Sequence, residues 1–237
     1  HIPVGAGLGG GSSDAAATLV GLNELWGLEL PETTLAALAL ELGSDVPFFL
    51  EGGTALGEGQ GEQLTPLDGP PGWSWLLVIP DFSISTESAY LKASIGLTQS
   101  RQRLNMAQLA LKSQDLTAFV DHWINDLEPG VWGSEPRLGE IAAAMESCGL
   151  PLAAMTGSGS VLFSIDSAGL SGEPVSDQAV SALKSREGIK DVLRCSSVST
   201  GVLKTYAPCH LRVRVIVRLP LPQGWAADGE RGLVPGE

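Results

Sequence analysis

Near its start the chain reads Pro3-Val4-Gly5-Ala6-Gly7-Leu8-Gly9-Gly10-Gly11-Ser12-Ser13-Asp14, and the helix-forming run Ala15-Ala16-Ala17-Thr18-Leu19-Val20 follows directly. Five glycines within seven positions allow the backbone to adopt positive φ angles and to approach a ligand closely. The helix directs the positive end of its dipole toward the same place, and Ser12 or Ser13 is suited to cap it. These features predict a phosphate-binding loop that leads into a helix.

The composition and net charge argue against some classes of binding partner. The chain has 237 residues, a formal net charge of −13 and a pI near 4.6. This charge repels nucleic acid and anionic lipid, so we expect neither as a main partner. The three cysteines, Cys148, Cys195 and Cys209, lie far apart and lack the spacing of a disulfide framework or a zinc site, which indicates buried thiols in a reducing compartment.

Periodicity and breaker residues predict two domains with a boundary near residues 95 to 104. In the first we expect helices from Asp14 to Trp26 and from Pro31 to Gly43. Short strands should follow at 48–50, 54–56, 63–67 and 75–79. A helix at 86–93 should precede the boundary. In the second domain we expect helices at 105–112, 116–125, 136–148 and 175–186, and strands at 152–155, 161–165 and 191–197. A tight turn should join Thr156 to Ser160, and the alternating run Leu211–Leu219 reads as an edge strand or as a stretch foreign to the fold.

Three other interpretations of the glycine loop fit less well. Gly5-Ala6-Gly7-Leu8-Gly9-Gly10 satisfies the letters of the dinucleotide fingerprint, but that motif needs a strand before it and an acidic residue at the end of a second strand. A helix follows here instead, and no Gly-Lys-Ser/Thr marks a Walker loop. A flexible linker does not normally end in Ser-Ser-Asp and a strong helix former.

Four motifs in order resemble the GHMP kinase family. They are the loop at residues 2–16, the segment Leu42-Gly43-Ser44-Asp45-Val46-Pro47-Phe48-Phe49 with its continuation at 57–62, Asn125-Asp126-Leu127-Glu128-Pro129, and Met155-Thr156-Gly157-Ser158-Gly159-Ser160. The resemblance implies an α+β, two-domain GHMP kinase fold. A partial N-terminal domain similar to ribosomal protein S5 would span 1–98, a ferredoxin-like α/β sandwich would span 99–203, and residues 204–237 are unassigned.

The resemblance also implies an ATP-dependent kinase for a small-molecule alcohol, with Mg²⁺ as cofactor, acting as a monomer or homodimer in the bacterial cytoplasm or the plastid stroma. Asp45 would be the catalytic base, although an Asp before Val-Pro is by itself more typical of a turn. The ATP phosphates would be bound by Pro3, Gly5, Gly7, Leu8, Gly9, Gly10, Gly11, Ser12 and Ser13. Ser12 or Ser13 would also bind Mg²⁺, and Thr156, Gly157, Ser158 and Gly159 would bind substrate or phosphate.

The chain departs from the family pattern at its start. Family members carry, ahead of the glycine loop, a region with a catalytic lysine and part of the nucleotide site. We therefore expect an N-terminally truncated kinase that is inactive as a fragment. Two alternatives stay open: a kinase for homoserine, mevalonate or a sugar, and a nucleotide-binding remnant without catalysis.

Overall fold

The structure is a computed structural model that describes residues 2–59, 61–69, 73–92, 97–166 and 173–197, together with the backbone of three short strands between residues 216 and 235. The helices are α1 (Gly10–Leu25), α2 (Glu32–Leu42), α3 (Val46–Glu51), α4 (Thr86–Leu91), α5 (Leu97–Ser113), α6 (Leu116–His122), α7 (Glu128–Ser134), α8 (Pro136–Ser147) and α9 (Asp177–Lys184). The strands are β1 (Thr54–Glu58), β2 (Gln63–Leu67), β3 (Ser74–Pro80), β4 (Ala154–Met155), β5 (Leu162–Ile165), β6 (Ile189–Ser196), β7 (Ile216–Arg218), β8 (Trp225–Asp228) and β9 (Gly232–Pro235).

A four-stranded antiparallel sheet in the order β4-β5-β3-β6 forms the centre of the molecule. Successive side chains of β3 point to opposite faces. Leu76 and Val78 belong to a cluster with α7, α8 and α9 on one face, whereas Trp75 and Leu77 belong to a cluster with α5 and α6 on the other. Both faces of the sheet are therefore covered, and β3 is buried almost throughout.

A smaller unit packs the first three helices on a second sheet. Ala16 of α1, Ala39 of α2 and Phe48 of α3 share one apolar cluster with Ala55 of β1. The sheet has the order β2-β1-β7, in which β7 runs parallel to β1 and β2 antiparallel to it. β8 and β9 form a separate antiparallel pair.

Several predicted elements are confirmed. α2 begins after Pro31 and ends before Gly43, β2 has the predicted bounds, and β3 extends the predicted strand by one residue at each end. β7 lies within the predicted run 211–219. The division into 1–98, 99–203 and 204–237 stays a prediction. β3 precedes its first boundary, yet it pairs with β5 and β6, which follow that boundary.

Two predictions of local structure are wrong. The expected strand at 48–50 is the helix α3, because Pro47 sits in its first turn and Val46, Phe48 and Phe49 pack against α1. Apolar packing thus overrides the strand preference of the two phenylalanines. The helix α7 was not predicted, because Pro129 and Gly130 in its first turns and Gly133 further along read as a loop.

Cys148 and Cys195 are half-buried free thiols, and Cys209 lies outside the described residues. Burial raises the pKa of the Cys195 thiol to about 12. Within the described ranges, the longest and most apolar helices still fall short of what a bilayer crossing needs.

Candidate active site

The glycine loop alternates between left-handed glycines and buried anchors. Gly5, Gly7 and Gly9 have φ angles of 66°, 71° and 65°. Between them, Ala6 and Leu8 are buried in the cluster on the α5–α6 face of the central sheet. The apolar anchors fix the loop, while the glycines curl its backbone into the concave arrangement of peptide groups that binds anions.

The helix α1 begins at Gly10, four residues earlier than predicted, and Gly9 occupies its N-cap position. No side chain caps this helix, so the prediction that Ser12 or Ser13 does so is wrong. The Ser13 N–H donates to the Gly9 carbonyl and closes the first turn at 2.9 Å. The N–H groups of Gly10, Gly11 and Ser12 therefore have no partner inside the helix, which is the condition under which a helix start accepts an anion.

The two serines of the loop differ in what their hydroxyls do. The Ser13 hydroxyl donates to the Gly10 carbonyl at 2.9 Å. The Ser12 hydroxyl makes no hydrogen bond within the part of the chain that the structure describes. Both side chains are half-buried in the first turn of α1. Ser12 is therefore the serine with an unengaged oxygen.

The glycine turn at 156–160 contacts the glycine loop directly. The Thr156 hydroxyl donates to the Gly7 carbonyl at 2.8 Å, and the Val161 N–H donates to the Ala6 carbonyl at 3.4 Å. A Cβ on Gly7 would lie 2.0 Å from the Thr156 carbonyl oxygen, and one on Gly157 would lie 3.1 Å from the Gly7 carbonyl oxygen. The two motifs therefore form one surface, and the close approach requires glycine on both sides.

Several groups of the glycine turn are already paired. The Thr156 N–H donates to the Val161 carbonyl, and the Gly159 N–H donates to the Thr156 carbonyl, each at 2.9 Å. The Ser158 and Thr86 hydroxyls share a hydrogen bond of 3.1 Å, and the Ser160 hydroxyl donates to the Phe82 carbonyl at 2.6 Å. Among the described residues, the N–H groups of Gly157, Ser158 and Ser160 are left without a partner in this turn.

Asn125 and Glu128 hold the turn from its other side. The Asn125 side-chain amide donates to the Met155 carbonyl at 2.9 Å and to the Gly157 carbonyl at 2.8 Å. Glu128 Oε1 accepts the Met155 N–H at 2.6 Å. Burial raises the pKa of Glu128 from its ordinary 4.5 to about 7, and the Met155 N–H and then the Trp123 side chain oppose that rise. Both residues lie in the third motif, but the sequence predicted no role for Glu128.

Asp45 lies at the N-cap position of α3, half-buried, and its side chain does not cap that helix. The next residue, Val46, packs in one cluster with Ala15 and Ala16 of α1. This packing brings the start of α3 alongside the second turn of α1. Pro3 is half-buried at the entry to the loop, upstream of Gly5.

Comparisons with known proteins agree with this architecture. The family model for the GHMP kinases N terminal domain matches residues 1–53. A solved homoserine kinase from Cytophaga hutchinsonii has a TM-score of 0.67 at 21% identity over 85% of this chain and 69% of its own, which shows a common fold. The chain thus has the α+β GHMP kinase fold.

Closer relatives define the family. A 4-diphosphocytidyl-2-C-methyl-D-erythritol kinase from Synechococcus sp. is 38% identical over 221 residues, covering 89% of this chain and 70% of the relative. One from Exiguobacterium sibiricum is 44% identical over 165 residues, covering 70% of this chain and 57% of the relative. A solved 4-(cytidine 5'-diphospho)-2C-methyl-D-erythritol kinase aligns with 32% identity and a TM-score of 0.62 over 82% of this chain and 67% of its own.

The chain belongs to the 4-diphosphocytidyl-2-C-methyl-D-erythritol kinase family. It spans 57% of the length of two of the curated relatives that it matches.

Proposed function

We propose that this chain supplies the phosphate-binding part of a kinase that uses ATP to phosphorylate the 2-hydroxyl of 4-diphosphocytidyl-2-C-methyl-D-erythritol, in the non-mevalonate pathway to isopentenyl diphosphate and terpenoids. The observation that carries the proposal is the uncapped start of α1, where Gly10, Gly11 and Ser12 present N–H groups beside the curled glycine loop. The substrate comes from the names of relatives at 38% to 44% identity.

The loop fits a triphosphate by its donor set. A phosphoryl-transfer site must position the phosphates and neutralise the charge that develops on them. Here backbone N–H groups and the positive end of α1 would do so in place of a Walker lysine. The unpaired N–H groups of Gly157 and Ser158 would bind phosphate from the opposite side.

The site can hold a magnesium ion to which the protein itself supplies few ligands. Across the described residues, no cluster of three or more His, Cys, Asp or Glu side chains is arranged to hold a metal. Mg²⁺ commonly keeps several waters and is bound largely by substrate phosphates, so the open Ser12 hydroxyl suffices as a protein ligand. When bound, the ion would neutralise phosphate charge.

Asp45 would accept the proton of the substrate hydroxyl. Because phosphoryl transfer passes through a loose transition state, the hydroxyl proton is needed only late, and a carboxylate is a sufficient base. The start of α3, which carries Asp45, packs alongside α1, at whose own start the phosphates would bind.

The test is a steady-state assay of the protein at its natural full length, with ATP, Mg²⁺ and each of three alcohols: 4-diphosphocytidyl-2-C-methyl-D-erythritol, homoserine and mevalonate. We expect turnover with the first. Asp45→Asn should lower kcat by about 10²-fold to 10⁴-fold and leave the Kd for ATP within about twofold.

Glu51→Gln is the matched control, because Glu51 is exposed at the other end of the same helix. It should behave as the unaltered protein. Preference for homoserine or mevalonate would reassign the substrate, ATP binding without turnover would favour a remnant, and normal turnover by Asp45→Asn would remove Asp45 from the mechanism.

A further inference from the structure

The segment that joins α6 to α7 makes hydrogen bonds to the glycine turn and to the end of the strand before it. The Asn125 side-chain amide donates to the carbonyls of Met155 and Gly157, and the Glu128 carboxyl accepts the N–H of Met155. The Asn125 side-chain oxygen in turn accepts the Leu127 N–H at 3.0 Å, which fixes the orientation of its amide. Three hydrogen bonds to residues 155 and 157 thus set the position of the peptide at Thr156.

That peptide is the one that touches the glycine loop. The Thr156 hydroxyl donates to the Gly7 carbonyl. The Thr156 carbonyl oxygen lies so close to Gly7 that a Cβ added to Gly7 would be 2.0 Å from it. A shift of Met155 therefore moves Thr156 relative to Gly7 by a similar amount. The arrangement connects Glu128 to the glycine loop through two hydrogen bonds joined by the backbone between Met155 and Thr156.

We infer that Glu128 is a positioning residue for phosphate binding: by holding the Met155 N–H, it keeps Thr156 against Gly7 and so holds the two glycine motifs at the separation that an anion requires. This inference rests on the proposed function. Burying a carboxylate to pair one N–H costs more free energy than burying an uncharged acceptor, because the carboxylate suffers the desolvation that raises the pKa of Glu128. A group placed at that cost at the junction of the two motifs serves their geometry.

The experiment compares three variants of the protein at its natural full length. Glu128→Gln keeps an oxygen that accepts the Met155 N–H, whereas Glu128→Leu keeps the volume and removes the acceptor. Val131→Ala is the stability control: Val131 lies one turn further along α7, is 1% exposed in the same apolar cluster as the Met155 side chain, and has a side chain that makes no hydrogen bond.

Two readouts are measured on each variant. Hydrogen exchange without nucleotide follows the segments 2–13 and 155–161, and steady-state kinetics gives kcat and the KM for Mg-ATP. We expect Glu128→Leu to speed exchange in both segments and to raise the KM for ATP by about tenfold, with kcat falling less, because a buried N–H left unpaired displaces the turn. Glu128→Gln should restore both quantities to within about twofold, and Val131→Ala should lower stability without raising the KM.

Unchanged exchange in segment 2–13 for Glu128→Leu would overturn the inference. An increase of the KM by Val131→Ala equal to that of Glu128→Leu would also overturn it, because the effect would then be one of stability. If the unaltered protein bound no ATP while Glu128→Leu still loosened both segments, the connection between Glu128 and Gly7 would stand, and the proposed function, with the phosphate-binding role of Glu128, would fall.

Discussion

The two glycine motifs lie against each other, but they differ in which of their backbone groups make hydrogen bonds. The loop that leads into α1 is anchored by Ala6 and Leu8, and its N–H groups at the helix start have no partner within the helix. The turn at 156–160 uses the N–H groups of Thr156 and Gly159 and the carbonyls of Thr156 and Gly157 in hydrogen bonds, and Asn125 and Glu128 hold the preceding Met155. The two motifs thus differ in use: the loop offers the donors of a helix start, whereas the turn holds the loop through Thr156 and adds the N–H groups of Gly157 and Ser158.

The largest effect that this comparison predicts is that of Gly7→Ala. The residue has φ 71°, and its new Cβ would lie 2.0 Å from the Thr156 carbonyl oxygen, so the loop and the turn must separate. The left-handed backbone costs about 1–2 kcal/mol before the clash is counted. We expect ATP affinity, measured by calorimetry, to fall by more than about a hundredfold.

Gly21→Ala on α1 is the control, because nothing lies within 4 Å of its added Cβ. That variant should stabilise the protein by roughly 0.5–1 kcal/mol and leave ATP affinity unchanged. Full ATP affinity in Gly7→Ala would show that the contact between the motifs is not needed for binding.

Only part of this difference is visible in the sequence. The glycine pattern and the following alanines predict the loop and its helix, because both depend on local backbone preferences. The start of α1 is four residues earlier than predicted. Gly10 and Gly11 have low helix propensity, so the sequence did not place them in the helix, yet α1 continues through them to the loop. A capping serine was therefore expected where an open helix start exists.

The contact between the motifs could not be predicted from local patterns. Thr156 and Gly7 are 149 residues apart, and only the packing of the loop on the central sheet brings them together. The burial that makes Glu128 unusual has the same origin, since its neighbour Met155 belongs to β4. Long-range pairing, in contrast to helix and strand periodicity, leaves no signal in a single sequence.

The second prediction concerns the pH dependence of stability through Glu128. The folded protein keeps this carboxyl protonated up to about pH 7, whereas the unfolded chain releases the proton near 4.5. The folded state thus binds more protons in this window, and the free energy of unfolding should fall as pH rises from about 4.5 to 7, by at most about 3 kcal/mol. Burial causes the rise, hydrogen bonds from the Met155 N–H and then the Trp123 side chain oppose it, and no charged side chain contributes to it.

Urea unfolding between pH 4.5 and 8 checks this. Glu128→Gln should lack the component that falls with pH, whereas Glu146→Gln, an exposed residue on α8, should follow the unaltered protein. Parallel stability curves for the unaltered protein and Glu128→Gln would contradict the raised pKa.

The smallest predicted effect separates the two serines of the loop. Ser12→Ala should raise the Mg²⁺ concentration for half-maximal activity by about threefold to tenfold, because the serine with the open hydroxyl is removed as a ligand. Ser13→Ala should change it by less than about twofold, since that hydroxyl donates to the Gly10 carbonyl. The reverse order of effects would assign the ion to Ser13.

The central claim is that the peptide N–H groups at the start of α1 bind the phosphates of ATP. A crystal structure of the protein at its natural full length with a non-hydrolysable ATP analogue and Mg²⁺ tests it most directly. We expect phosphate oxygens at about 3 Å from the N–H groups of Gly10, Gly11 and Ser12. Phosphates bound elsewhere, with those three groups facing water or protein, would contradict the account.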